Sequence, residues 1–189
     1  MNPTERRTLL AAASPRPGEA WGDFGCGAGA FTLPLAEAIG ADGTLLAVDR
    51  DERALDSLRR ALDALPSPLP PVQLRVADVR LPGALPPLDG ILLANVLHYL
   101  PDAVATLGTL ARTLRPGGRV LVIEYDRADA TPWVPHPIPV SSLAALAKGA
   151  ALLPFDVKVR VRSDFGRMLY AAVARAAAPS APQAPRTVP

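Results

Sequence analysis

Short apolar runs alternate along this chain with stretches in which apolar residues recur every three or four positions. The runs have the length of β-strands, and the recurrences mark the stripe of a helix packed on a sheet. Residues 4–13 predict a short leading helix, closed by Ser14-Pro15-Arg16-Pro17-Gly18. Residues 20–24 predict a first strand and residues 30–39 a helix, in whose first turn Pro34 is tolerated. A second strand over 44–48 stops at Asp49, and Asp51 is placed to cap the next helix. That helix carries Leu55, Leu58, Leu62 and Leu65 as one apolar stripe and breaks at 67–71. A third strand, 72–77, ends at Asp78, and a fourth covers 88–95. The stripe returns in a helix over 102–114, as Val104, Leu107, Leu110 and Leu114. Arg115-Pro116-Gly117-Gly118 then turns into a strand over 119–125. A helix over 141–149 follows, and two last strands, 155–161 and 168–175, are expected to pair antiparallel.

Strand and helix in alternation predict an α/β fold, a parallel sheet with helices on both faces. At 189 residues the chain suits one domain, expected over 1–175. The Ala/Pro-rich tail, 176–189, has little to bury and is expected to be disordered. The segment 126–140 holds four prolines together with Trp133 and His136, and connections of that length tend to be binding loops or lids.

Composition narrows the function classes. The longest apolar stretch, near 91–100, is interrupted by Asn95 and His98 and falls short of a membrane span. Arg6-Arg7 faintly resembles a twin-arginine export signal, but the apolar run after it ends at Ser14-Pro15, so a local amphipathic helix is expected. The single Cys26 excludes an internal disulfide and any cysteine metal spacing, which makes a cytoplasmic location the default. The net charge of +2 is close to balance, and its arginines are scattered without an aromatic-interleaved stripe. Nucleic acid and membrane are therefore not expected partners.

Candidate chemistry begins at Asp23-Phe24-Gly25-Cys26-Gly27-Ala28-Gly29, between the first strand and its helix. Alternate glycines leave the backbone bare, so a ligand can lie against it. Gly25, Gly27 and Ala30 satisfy the dinucleotide pattern Gly-x-Gly-x-x-Gly/Ala, and Asp49 at the next strand end suits the ribose of either a nicotinamide cofactor or S-adenosyl-L-methionine. Two residues separate the cases. Asp23 would repel a pyrophosphate but complements an ammonium group, and Asp78 offers an acceptor to an exocyclic adenine amine. Asp23, Asp49, Asp78 and Asn95 all stand at or beside strand ends, where open parallel sheets bind ligands.

The ordered set resembles the class I S-adenosylmethionine-dependent methyltransferases. Asp23 through Gly29 is similar to their first motif, Ala47-Val48-Asp49 to their ribose-binding strand end and Ala77-Asp78-Val79 to their adenine-contacting turn. Leu88-Asp89-Gly90-Ile91 through Asn95-Val96-Leu97-His98 resembles the fourth-strand motif, and Leu114-Arg115-Pro116-Gly117-Gly118 the turn before the fifth strand. The resemblance implies a Rossmann-like, seven-stranded, mostly parallel sheet whose last strand is antiparallel. It also implies that Gly25, Cys26, Gly27 and Gly29 contact the methionine portion, Asp49 the ribose, and Asp78 and Val79 the adenine. Arg50 departs from the family, which often has an apolar residue there; a guanidinium can also stack on a base.

For catalysis two readings of His98 stand, a general base near the transferred methyl or a packing residue. Tyr99, Glu124 and Tyr125 are candidates to reach an acceptor, and Trp133 and His136 to cover it. No Asp/Asn-Pro-Pro-Tyr/Phe run and no Pro-Cys nucleophile is present, so a small-molecule acceptor is expected. The rivals are a nicotinamide-dependent oxidoreductase and a non-catalytic protein that binds the same cofactor. No metal is expected.

Overall fold

The computed structural model describes residues 1–65, 68–163 and 166–177. Of the expected disordered tail, residues 178–189 lie outside these. Seven strands form one sheet: β1 Ala20–Phe24, β2 Thr44–Asp49, β3 Val72–Val76, β4 Leu88–Ala94, β5 Leu114–Tyr125, β6 Asp156–Arg162 and β7 Met168–Arg175. Their order is β3-β2-β1-β4-β5-β7-β6. The first five pair in parallel, while β7 runs antiparallel to both β5 and β6. This is the Rossmann-like sheet that the resemblance implied. The strand order reverses between β1 and β4, which opens a crevice at their carboxyl ends.

Helices α1 Pro3–Ala11, α2 Thr32–Ile39 and α3 Glu52–Asp63 lie on one face, and α4 Ala103–Ala111 and α5 Leu143–Gly149 on the other. The two faces follow from period-two alternation in the central strands. Leu92, Leu121 and Ile123 join Leu9, Phe31, Leu35 and Ile39 on the first face. Ile91, Leu93, Val120 and Val122 join Leu107, Leu110, Leu143 and Leu146 on the second. Both faces are packed with apolar side chains, so the carboxyl ends of the strands are where polar chemistry can gather.

Element ends differ from expectation where caps or pairing overrule the stripe. Asn2 and Glu5 form a reciprocal capping box that starts α1 at Pro3. Asp51 caps α3, accepting from the N–H groups of Arg53 and Ala54. Leu114 continues the apolar stripe of α4 but belongs to β5, because it pairs with Leu88. The turn through Gly117 is thus an irregularity within β5, and α4 stops at Ala111.

Two contacts set the frame. Arg119 forms an ion pair with Glu19 at 2.6 Å, donates to the Ser14 carbonyl and stacks its guanidinium on Trp21, locking the link after α1 to β5. Asp89, in the fourth-strand motif, stands at the opposite end from the crevice, accepting from the Ala20 N–H and from Arg115.

Candidate functional site

The crevice begins at the glycine loop. Gly25 and Cys26 donate their N–H groups to the Val48 carbonyl, tying the loop to the end of β2. Gly25, Gly27 and Gly29 all have positive φ, and the three differ in what surrounds them. A Cβ on Gly25 would stand 2.4 Å from Val96, and one on Gly29 would stand 2.4 Å from Leu58. A Cβ on Gly27 would meet nothing within 4 Å. Gly27 is therefore where the bare backbone faces open space, and the other two are bare because neighbouring side chains press on them. Cys26 is buried behind the loop, and burial, with Asp23 and Asp49 nearby, pushes its thiol up. That favours the protonated, unreactive form.

Asp49 reaches across this loop. The Gly27 N–H donates to Oδ2 at 2.7 Å and the Asp51 N–H to Oδ1 at 2.9 Å, which holds the half-buried carboxylate in place. Asp23 sits deeper, 1% exposed, and accepts from the Thr32 hydroxyl at 2.7 Å. Burial pushes its carboxyl up to about 7; the Thr32 bond opposes this and the charge of Asp49 adds to it. A ligand lying on the loop meets Gly27 and Asp49 before Asp23. Asp78 is held by Arg80, whose Nε, Nη2 and backbone N–H all donate to it, and these bonds bring the carboxyl down to about 2. Arg80 was not anticipated, although its place two residues on is visible in the sequence. Val79 packs partly buried against the core, and Arg50 is exposed.

On the other side of the crevice, β4 is followed by Asn95, whose φ of 55° swings the chain sharply into the single turn Leu97–Tyr99. Asn95 Oδ1 is buried without a hydrogen-bond partner. Beside it, His98 Nδ1 lies 2.6 Å from Glu124 Oε2, with the two side chains 2% and 1% exposed. Glu124 Oε1 also accepts from the N–H groups of Val96 at 3.1 Å and His98 at 3.4 Å. Two backbone N–H groups and the imidazole converge on this one carboxylate, an acceptor that assigns the ring hydrogen to the nitrogen facing it. Nδ1 then carries the hydrogen, and Nε2 is left as the lone-pair acceptor. Glu124 thus stands behind His98, directed at its ring.

A cavity of about 730 Å³ opens in front of this pair, between the ends of β4 and β5 and the 126–140 loop. His98, Tyr99 and Tyr125 line it from the strand ends, and Thr131, Trp133 and Val134 from the loop. Tyr99 and Tyr125 flank the imidazole, with ring centroids 4.3 and 6.5 Å away. Burial, with Glu124 and Tyr99 nearby, raises the Tyr125 hydroxyl. The loop is anchored at its far end by the buried Tyr170 hydroxyl donating to the Ile138 carbonyl at 2.7 Å. His136 contributes its backbone N–H, which donates to the His98 carbonyl at 2.9 Å, while its side chain is exposed. Arg127, Thr131, Val134 and Arg167 also line the cavity and were not singled out from sequence. Arg127 follows two residues after a strand end, which is a usable signal; Arg167, on the β6–β7 turn, had none.

Among the described residues no group of three metal-ligating side chains occurs, and no helix is long and apolar enough to cross a membrane.

A switch-point crevice with a glycine cradle, an acid at the second strand end and a cavity at the fourth and fifth defines a class of nucleotide-cofactor-binding α/β protein. The match is specific: residues 23–120, just over half of the chain, fit the family described as the methyltransferase domain, and the chain belongs to that family. It is 31% identical over 131 residues to an aklanonic acid methyltransferase of Streptomyces sp. (strain C5), covering 68% of this chain and 59% of that protein. It is 36% identical over 116 residues to the nocamycin O-methyltransferase of Saccharothrix syringae, covering 60% of this chain and 40% of that one. The chain thus spans less than two thirds of the length of these relatives. Among solved structures, the N-methyltransferase NodS of Bradyrhizobium japonicum WM9, in complex with S-adenosyl-L-homocysteine, shares the fold with a TM-score of 0.75 at 22% identity, covering 92% of this chain and 86% of that one.

Proposed function

We propose that this protein is a methyltransferase that uses S-adenosyl-L-methionine to methylate a small molecule at a hydroxyl group, with His98 as general base. The observation that carries the reading is the buried Glu124–His98 pair, facing a cavity one strand away from the Gly27–Asp49 cradle.

The residues present fit the cofactor. Gly27 offers open backbone, Asp49 an oriented carboxylate for a ribose diol, and Asn95 Oδ1 a buried acceptor that still needs a donor. Asp78 and Val79 are the residues we assign to the adenine, with Arg50 able to cover its face. When bound, S-adenosyl-L-methionine supplies a methyl group whose bond to a cationic sulfur breaks with the electron pair kept by sulfur. The chain has to orient the acceptor, exclude water and take one proton. Glu124 fixes the imidazole with Nδ1 protonated, so Nε2 accepts the hydroxyl proton and leaves the oxygen pair free for the new bond. Tyr99, Tyr125 and Trp133 give the acceptor an aromatic wall, and the 126–140 loop limits water access.

Two rivals are weakened. A nicotinamide cofactor would set its pyrophosphate on the glycine loop above Asp23, and a non-catalytic binder has no use for a cavity between β5 and the loop. A cytoplasmic setting goes with the single unpaired Cys26.

His98→Gln should lower kcat by about 10²–10⁴-fold while leaving S-adenosyl-L-homocysteine affinity within about twofold. Calorimetric titration supplies the second number and, with NAD in the syringe, tests the oxidoreductase. Binding of NAD without binding of S-adenosyl-L-homocysteine would overturn the proposal, and an undiminished kcat would remove His98 from it.

A further inference from the structure

The acceptor cavity has a charge and a shape of its own. Among the described residues its lining includes four rings, from His98, Tyr99, Tyr125 and Trp133, and two guanidinium groups, from Arg127 and Arg167, but no carboxylate. Glu124 is buried behind His98 and engaged there. Six of the described arginines elsewhere on the molecule are ion-paired, and Arg127 and Arg167 differ from those six. Arg7, Arg59, Arg80, Arg115, Arg119 and Arg160 each face an acidic side chain. Arg127 and Arg167 face none among the described residues, and Arg127 Nε is buried without a partner.

A buried guanidinium nitrogen without an acceptor is costly, and a bound carboxylate would relieve it. Trp133 is 80% exposed and Tyr99 52%, so the mouth of the cavity displays aromatic faces that a flat molecule would cover. The volume of about 730 Å³ suits a molecule of one to three fused rings.

We infer that the acceptor is a planar aromatic hydroxy acid, oriented by its two functional groups. Its carboxylate lies on Arg127, with Arg167 at the mouth, and its hydroxyl lies on His98 Nε2. Its rings stack among Tyr99, Tyr125 and Trp133. This rests on the methyltransferase reading for the role of the hydroxyl; the preference for a planar carboxylate can be tested without it.

The experiment uses the full chain and matched pairs of ligands: hydroxybenzoate, hydroxynaphthoate and hydroxyanthraquinone carboxylate, each beside its carboxamide. Affinities are measured by calorimetry with and without S-adenosyl-L-homocysteine, and products after incubation with S-adenosyl-L-methionine by mass spectrometry. At least one carboxylate should bind about tenfold or more tightly than its carboxamide, as a charge-assisted pair to arginine requires. Arg127→Gln should bring that pair within about threefold of each other, and Arg127→Lys should give an intermediate ratio, since it keeps the charge and loses the fork. Unchanged S-adenosyl-L-homocysteine affinity in both variants certifies the fold. Equal affinities within every pair, no binding by any carboxylate, or a preference that survives Arg127→Gln would overturn the inference. An alkali-labile methyl ester would overturn the orientation, because it puts the carboxylate at the methyl end. Failure of S-adenosyl-L-homocysteine to bind, with the carboxylate preference intact, would overturn the methyltransferase reading alone.

Discussion

Asp23 and Asp78 are both carboxylates at or just past strand ends, and their surroundings drive them in opposite directions. Burial pushes Asp23 up to about 7, whereas its bonds from Arg80 hold Asp78 at about 2. The folded chain keeps the Asp23 proton at pH values where the unfolded chain has lost it. Stability contributed at this site is therefore present at low pH and falls as pH rises from about 4 to about 7. Asp23→Asn retains an oxygen for the Thr32 hydroxyl and removes the titration. Relative to the unsubstituted protein, the variant should gain about 2–3 kcal/mol of unfolding free energy between pH 5 and pH 8, read from urea unfolding without ligand. An equal pH dependence in both proteins would exclude a titrating Asp23. Asp49 carries a different expectation, because it already orders the loop through Gly27. Asp49→Ala should weaken S-adenosyl-L-homocysteine binding by roughly 1.5–3 kcal/mol, about tenfold or more in titration. Unchanged affinity would mean that the ribose lies elsewhere.

At the scale of elements, the 126–140 loop depends on contacts with other parts of the chain. Val134 and Ile138 are buried, Tyr170 of β7 holds the Ile138 carbonyl, and the His136 N–H bonds the turn that carries His98. Burial keeps the Tyr170 hydroxyl protonated, its titration raised further by Glu124 and Asp126. Tyr170→Phe keeps the ring and leaves that carbonyl unpaired, so thermal unfolding should report a loss of about 1–3 kcal/mol. Acceptor KM should rise more than kcat falls, since the loop wall loosens while the Glu124–His98 pair stays intact. A kcat loss equal to that of His98→Gln would instead tie the loop anchor to the proton transfer. The loop was recognisable from its prolines and length, but its anchor was not, because Tyr170 is 32 positions from Ile138.

At the scale of the whole molecule, the central strands decide where everything else stands. Gly90 of β4 pairs with Trp21 of β1, and a Cβ there would stand 2.3 Å from the indole. Gly90→Ala must push Trp21 away from a fully packed face, on which Leu9, Leu35 and Ile39 also rest. Urea unfolding should show a loss of about 1–3 kcal/mol, the usual range for overpacking, with the glycine loop affected only through stability. A neutral effect would indicate slack that the packing does not suggest. The Arg119–Glu19 pair belongs to this scale too, since it joins β5 to the link before β1 across the sheet.

Most elements, their order and the glycine cradle were legible in the sequence because each is local. Strand, loop and helix follow one another within about twenty residues, and apolar period, caps and bare backbone act over that distance. The strand-end acids were legible for the same reason, as positions. Their states were not: Asp23 lies under the loop on Thr32, Asp78 is taken up by Arg80, and Glu124 turns toward His98. The pairing of β4 with β5, with Ala94 opposite Ile123, brings Glu124 beside the turn that carries His98. The cavity in front of His98 was least legible, because it draws on β4, β5, the loop and the β6–β7 turn together. By itself the sequence determined a sheet with a bare glycine loop after its first strand, since short-range chain geometry suffices for that. Only the tertiary structure decided which distant side chains face one cavity, because burial and strand register select them.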